Sequence, residues 1–339
     1  MTLQTASYKG ARDLPPDAMD LRRYVFGVWR RVVERYGYRE YATPLLEPLE
    51  MYAAKSGAEI VNDQTYKFED RGGREVAIRP EMTPSVARIV AARRQEIALP
   101  ARLYSIANFM RYERPQKGRE REFWQLNFDL FGAEETAADA EIIQIGYDIW
   151  RVFGADDTMF TIKVNDRRLT DYLTKNLLGL NAANAAALIK LLDRKDKISP
   201  EVFADDAREI LGGDAEKFAK LQQILSETDL TKFGETSQPL GEIVKKLRAA
   251  GLKNVKYDPT LVRGFDYYTG AVFEFFDEAP ENHRAMCGGG RYDGLVGLFG
   301  VDDLPVVGMA PGETTTLEFL RAHNLLPKLN SSVDLTILP

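Results

Sequence analysis

The 339-residue sequence has a single cysteine, Cys287, and only two histidines, His283 and His323. One cysteine excludes an intrachain disulfide, and these three side chains cannot assemble a Cys/His zinc cluster. No apolar run approaches the ~20 residues needed to cross a bilayer, and the opening MTLQTASYKGARDLPPD carries no apolar stretch of the kind that directs secretion. A cytoplasmic protein without membrane contact is expected. An excess of positive charge is also lacking: 45 Lys and Arg against 51 Asp and Glu leave −6. Attraction to nucleic acid must therefore come from a local basic patch. The Gly-x-x-x-x-Gly-Lys-Ser/Thr phosphate loop is missing, and Gly288, Gly290 and Gly294 miss the dinucleotide spacing by one residue.

What is present is the composition of a folded protein, with 45% hydrophobic and 28% charged residues. The length predicts two or three domains, or one large unit with an insertion. Leu21, Tyr24, Val25, Val28 and Val32 recur at helical spacing between Pro16 and Gly37. Residues 66–70 and 75–78, split by Arg71-Gly72-Gly73-Arg74, read as a β-hairpin; Thr83-Pro84 reads as a cap and first-turn proline for a helix over 85–93. Strands are expected over 103–111 and 123–130, a helix over 138–153 and a strand over 159–164. From about 168 to 252 the texture becomes helical. Strand character returns at 255–257 and 271–276, glycine-rich turns follow at 287–291 and 308–312, and a helix is expected over 315–323. Residues 332–339 read as the opening strand of a further unit, as in a truncated chain.

Four stretches carry chemistry. Residues 111–121 hold Arg111, Arg114, Lys117, Arg119 and Arg121 around Pro115 and Gly118, a density that suits bidentate phosphate recognition and equally a solvated loop. In the strand that follows, Trp124, Leu126, Phe128 and Leu130 point one way while Gln125, Asn127 and Asp129 point the other, toward either water or a ligand. Arg263-Gly264-Phe265-Asp266-Tyr267-Tyr268-Thr269-Gly270 and Gly288-Gly289-Gly290-Arg291-Tyr292-Asp293-Gly294 set charges and phenols among glycines, which permit close approach of a ligand or simply a tight turn. Cys287 reads as a packed thiol.

Taken in order, these residues resemble the catalytic core of the class II aminoacyl-tRNA synthetases, in their histidyl-tRNA synthetase family. The resemblance rests on Tyr66-Lys67-Phe68-Glu69-Asp70 with Arg79-Pro80-Glu81-Met82-Thr83, on residues 109–119 with Arg121 and Phe123, on 263–270 and on Gly289-Gly290-Arg291-Tyr292-Asp293. It covers the chain from the first helix to about Leu326. It implies an α+β fold: a six- or seven-stranded antiparallel sheet flanked by helices, with a helical insertion. The implied division is a catalytic core over 1–167 and 253–328, an insertion over 168–252, and a linker with the start of an anticodon-binding domain over 329–339. A homodimer built partly around Pro44 is also implied.

The resemblance further implies that histidine and ATP form histidyl-adenylate, with Mg2+ accompanying the ATP, and that the histidyl group then passes to tRNA(His). Arg111 and Arg263 would be catalytic; Arg111, Glu113, Arg119, Phe123 and Arg263 would bind ATP, with Phe123 stacked on the base. Glu81, Thr83 and Gln125 would take the α-amino group of histidine; Asp129, Tyr267, Tyr268 and Tyr292 would surround its imidazole, and Arg263 would face its carboxylate. The family commonly carries a γ-phosphate arginine where Thr315 stands here, so either Arg119 and Mg2+ cover the γ-phosphate or activation is weak. The rival reading is the synthetase-like regulatory subunit of ATP phosphoribosyltransferase, which binds without charging tRNA.

Overall fold

In a computed structural model, which describes residues 5–53, 63–116, 118–262, 267–282 and 285–329, the alternation around Asp129 lies inside an eight-stranded sheet. Along the chain the strands are β1 (Arg39–Glu40), β2 (Leu46–Pro48), β3 (Lys67–Glu69), β4 (Glu75–Ile78), β5 (Ala101–Met110), β6 (Glu122–Phe131), β7 (Phe160–Asp166), β8 (Val255–Tyr257), β9 (Ala271–Asp277), β10 (Ala285–Arg291) and β11 (Val306–Met309). The large sheet runs β1-β5-β6-β11-β10-β9-β7-β8, and β2-β4-β3 form a small second sheet. Six central strands are antiparallel, whereas β1 joins β5 and β8 joins β7 in parallel. The α+β class holds, but the expected six or seven antiparallel strands become a mixed sheet of eight. Each edge strand is connected to its partner through intervening helices, the long crossover that parallel pairing requires.

The helices are α1 (Pro16–Arg35), α2 (Glu50–Ala53), α3 (Thr83–Ala92), α4 (Glu135–Val152), α5 (Arg167–Asp171), α6 (Ala182–Asp193), α7 (Pro200–Ile210), α8 (Ala215–Ser226), α9 (Gln238–Ala249) and α10 (Glu313–Ala322). On α1, Val25, Val28, Trp29, Val32 and Val33 form one buried stripe, and Gly37, at φ 82°, ends the segment in the left-handed region open to glycine. That stripe meets Ile142, Ile149 and Trp150 of α4, Phe319 of α10, and Leu126 and Phe128 of β6 in a single core. Each such side chain contributes about 1.5–3 kcal/mol on burial. One face of β6 is thereby fixed inward, which leaves Gln125, Asn127 and Asp129 on the opposite face.

Two local expectations need correction. Met82, not Thr83, occupies the N-cap of α3, with no side-chain cap bond, and Thr83 is the first helical residue. The first glycine-rich stretch is strand rather than turn, since 285–291 is β10, and the second starts within β11, which ends at Met309 before the chain enters α10 at Glu313. A side chain at Gly289 would overlap the Gly308 carbonyl and the Phe273 ring, so glycine here serves close packing of strands. The small sheet is tied to the large one by Arg79, whose Nε donates to the Asn108 carbonyl at 2.9 Å and whose Nη1 donates to the Thr43 carbonyl at 3.1 Å.

Candidate active site

The polar face of β6 continues across the sheet as an unobstructed floor. Gly308 of β11 lies opposite Asp129, and Gly290 of β10 lies opposite Gly308. A Cβ at Gly308 would overlap the Asp129 carboxylate and come within 2.9 Å of the Tyr292 hydroxyl; one at Gly290 would come within 2.7 Å of the Tyr268 ring. Both glycines therefore let larger groups lie flat over the strands.

Three phenols wall this floor. The Tyr267 ring is 4.9 Å from Tyr268 and 5.6 Å, edge to face, from Tyr292. Tyr292 donates its hydroxyl hydrogen to Asp129 Oδ1, and Tyr267 donates to Glu81 Oε2 at 3.2 Å. Glu81 and Asp129 are both buried. Burial pushes the Asp129 carboxyl up to about 7 and the Tyr292 bond draws it back. The same burial, together with the Asp129 charge, holds the Tyr292 phenol well above its ordinary value, so it stays a donor.

Tyr292 is held in place by its neighbour. The Arg291 guanidinium, 2% exposed, donates to Asp139 of α4 from Nη2 at 2.8 Å and from Nε at 3.1 Å, to Asp293 at 2.9 Å and to the Glu135 carbonyl at 3.0 Å. Burial raises Asp139 to about 7, and Arg291 opposes that rise. This arginine is structural: it fixes the end of β10 against α4.

The cationic end of the site begins at Arg111. Its Nε donates to the Pro80 carbonyl at 2.9 Å, and its guanidinium lies 5.2 Å from the centre of the Phe123 ring. Burial lowers its pKa, and Glu81, Glu113 and Tyr267 counter that effect. Arg111 is thus electrostatically coupled to the Glu81 and Glu113 carboxylates. Glu113 pairs with Arg119 at 2.8 Å. Arg121 lies over Tyr112 at 3.9 Å, donates to the Tyr8 hydroxyl at 3.0 Å and takes the Gly10 carbonyl on its backbone N–H at 2.8 Å.

The N-terminal segment also reaches α10. Arg12 pairs with Glu120 at 2.5 Å and with Glu313 at 3.3 Å, and Arg22 clasps the buried Glu313 with bonds of 3.1 and 2.9 Å. Thr315 turns its hydroxyl back to the Met286 and Gly312 carbonyls, at 2.8 and 3.1 Å.

Of the residues singled out from sequence, the structure brings together Glu81, Asp129, Tyr267, Tyr268 and Tyr292, with Arg111 and Phe123 beside them. Gln125 sits on the same face of β6 as Asp129 and bridges to Gly312 through its backbone. Thr83 opens α3 two residues beyond Glu81. Arg119 and Glu113 engage one another in the loop. Arg263 and Lys117 lie outside the described residues. The supports Arg12, Glu313 and Asp139 were not singled out from sequence. A buried acid such as Asp139, on the inward stripe of α4, is the one of these with a local signal, because it demands a cation.

The family model described as histidyl-tRNA synthetase matches residues 10–312. A histidine–tRNA ligase of Leptospira biflexa is 42% identical over 99% of this chain and 78% of its own length. Among solved structures, a histidyl-tRNA synthetase from a Nostoc species superposes with a TM-score of 0.81 at 23% identity, over 96% of this chain and 77% of its own. A protein of Bacillus halodurans described as an ATP phosphoribosyltransferase regulatory subunit/histidyl-tRNA synthetase superposes with a TM-score of 0.80 at 24% identity, over 97% and 85%. At those identities the two structures speak to the fold alone, while the family match and the Leptospira relative carry kinship. The chain belongs to the histidyl-tRNA synthetase family of class II aminoacyl-tRNA synthetases.

Proposed function

We propose that the chain activates histidine with ATP, giving histidyl-adenylate and pyrophosphate, and transfers the histidyl group to tRNA(His). The observation that carries this reading is the Tyr292-bonded Asp129 carboxylate on a glycine floor, one phenol away from the Glu81–Arg111 group. Such a trough offers an acceptor for an imidazole N–H at one end and a carboxylate for an α-ammonium at the other. Glu81, Thr83 and Gln125 would take the amino group; Asp129, Tyr267, Tyr268 and Tyr292 would line the imidazole. An apolar competitor would give the buried Asp129 carboxylate no donor beyond Tyr292, which is the costly way to bind the wrong substrate.

The reaction needs no general base, because the attacking carboxylate is already ionised near neutral pH. Its difficulty is that one anion must approach another. Arg111 would hold the α-phosphate from one side and Arg263 would face the carboxylate and phosphate from the other, so that charge on the equatorial oxygens is stabilised as it develops. Phe123 would stack on adenine, with Glu113 at its edge. Arg119 would release Glu113 to meet the γ-phosphate, since Thr315 supplies no charge. Mg2+ would neutralise phosphate charge; it keeps several waters and takes few protein ligands. Glu274, which faces the floor in register with Gly288, is the carboxylate placed to offer one.

A homodimer is part of this proposal, and the small sheet supports it. Leu46 and Phe68, each 47% exposed, share one face with Pro48, Val76 and Ile78 in the register of β2, β4 and β3. That apolar face suits burial against a second copy. The division into a core over 1–167 and 253–328, an insertion over 168–252 and a linker over 329–339, and a cytoplasmic location, belong to the same reading.

The test is ATP–pyrophosphate exchange with each of the twenty amino acids. Exchange that depends on histidine supports the proposal. Histidine binding without exchange, together with co-purification of a phosphoribosyltransferase, would instead favour the regulatory role.

A further inference from the structure

Beneath the trough, three polar side chains stand in one row across three neighbouring strands. Ser105 of β5 is the register partner of Asn127 of β6, so the two share the active-site face. Tyr41 follows β1, which runs parallel to β5 with Glu40 opposite Tyr104; the next step places Tyr41 beside Ser105. The backbone N–H of Tyr41 donates to the Tyr104 carbonyl at 2.8 Å, which fixes that step. The Tyr41 ring packs against the buried cluster that includes Tyr267 and Tyr292, and also against the cluster of Met82 and Phe109.

All three polar tips are buried, and none makes a hydrogen bond of good geometry among the described residues: the Tyr41 hydroxyl, the Ser105 Oγ and the Asn127 Nδ2. Ser105 is 2% exposed and Asn127 6%. The Tyr41 and Ser105 hydroxyls face each other closely enough for Ser105, as a hydrogen-bond donor, to counter the rise that burial causes in the Tyr41 phenol; this leaves the Tyr41 O–H and the Asn127 Nδ2 as donors without an acceptor among the described residues. An unpaired buried donor costs roughly 1–3 kcal/mol, and native folds rarely leave one, so two in one row mark a place built for a bound molecule. The row runs between Gln125 and Asp129 on the same face. Asn127 and Asp129 stand two residues apart on that face of β6, and the Asp129 charge adds to the rise of the Tyr41 phenol.

We propose that Tyr41, Ser105 and Asn127 are specificity-determining residues, which hold a buried water that lends Asp129 a second hydrogen bond beside that of Tyr292. The chemistry balances. With Ser105 donating to the Tyr41 oxygen, the Tyr41 O–H and Asn127 Nδ2 each donate to a water among them, which thus accepts two hydrogen bonds and has two hydrogens to give. One of these goes to the Asp129 carboxylate. The carboxylate is then oriented from both sides before substrate arrives, and the deep end of the pocket is closed by a polar wall. This inference rests on the histidine-binding reading above.

The test uses Tyr41→Phe and Ser105→Ala, each of which removes one oxygen and leaves the packing shape. Histidine and ATP affinities are measured by calorimetry, and melting temperatures are measured without ligand. The expected result is a threefold to tenfold weaker histidine affinity in each variant, an unchanged ATP affinity and no gain in melting temperature. An unchanged histidine affinity overturns the inference; a raised melting temperature overturns it too, since deletion of a truly orphaned hydroxyl stabilises the fold. A wild-type protein that binds no histidine overturns both this inference and the proposed function, whereas normal wild-type binding with indifferent variants overturns this inference alone.

Discussion

Gly308 and Asp129 face each other across β11 and β6, and the Asp129 carboxylate occupies the space that a side chain at 308 would fill. The same position lies within 2.9 Å of the Tyr292 hydroxyl. The pocket's acceptor therefore exists because its neighbour has no Cβ.

Gly308→Ala should push the carboxylate off Tyr292 and raise KM for histidine by about tenfold or more, on the scale of one misplaced hydrogen-bonded contact. KM for ATP should change far less. Steady-state exchange kinetics that vary one substrate at a time check this; equal effects on both would contradict it.

The Asp129 carboxyl, raised to about 7 by burial, gives a signed pH dependence. Its folded value exceeds the unfolded one, so the native state binds the extra proton. The associated stability is fully present below about pH 4 and is lost as pH rises through about 7. Asp129→Asn removes this titration. The melting temperature of the variant minus that of the wild type should therefore climb between pH 4 and 8, by an amount of order a few kcal/mol in stability. A pH-independent difference would contradict the assignment.

Arg291 and Asp139 form a buried pair with almost no solvent contact, at 2% and 0% side-chain exposure. Removing one partner strands the other as an uncompensated charge. Arg291→Ala should cost about 3–5 kcal/mol in urea unfolding, and Arg291→Lys should recover only part of it, because lysine cannot span Asp139 and Asp293 at once. A loss under 1 kcal/mol would show that the pair does not hold β10 to α4.

Arg12 links Glu120 in the loop to Glu313 at the start of α10. Arg12→Ala should loosen residues 111–121 and raise KM for ATP several-fold while histidine affinity stays fixed, because no described contact of Arg12 reaches the histidine end. Calorimetry with each ligand separately distinguishes this from a general loss of folding.

Much of this architecture is legible in the sequence because one physical cause dominates locally. The alternation 123–130 is readable since one face of β6 meets the core and the other does not. The stripe of α1 is readable for the same reason. Where the cause is distant, the sequence is silent. Gly288–Gly290 resemble a turn because glycine weakens strands in general, and only the approach of Gly308, Phe273 and Tyr268 explains why a strand needs them there. Thr83 looks like a cap by type, but the chain enters α3 one residue earlier. The parallel edges β1 and β8 are two and three residues long, too short for any periodicity. Among site residues, Asp129 comes from the alternation of its strand as well as from resemblance, Glu81 and the tyrosines take their roles from resemblance, and these side chains then meet in space. The pairs Arg12 with Glu313 and Arg291 with Asp139 span 301 and 152 positions, so no local pattern could join them.

The central claim is that two guanidiniums stabilise the charge of adenylate formation. The most direct measurement is histidine-dependent ATP–pyrophosphate exchange in Arg111→Ala and Arg263→Ala, alongside histidine affinity by calorimetry. The expected result is exchange reduced by about 10²–10³ in each variant, with histidine still bound by Arg111→Ala and bound more weakly by Arg263→Ala. Exchange at the wild-type rate in either variant would contradict the claim.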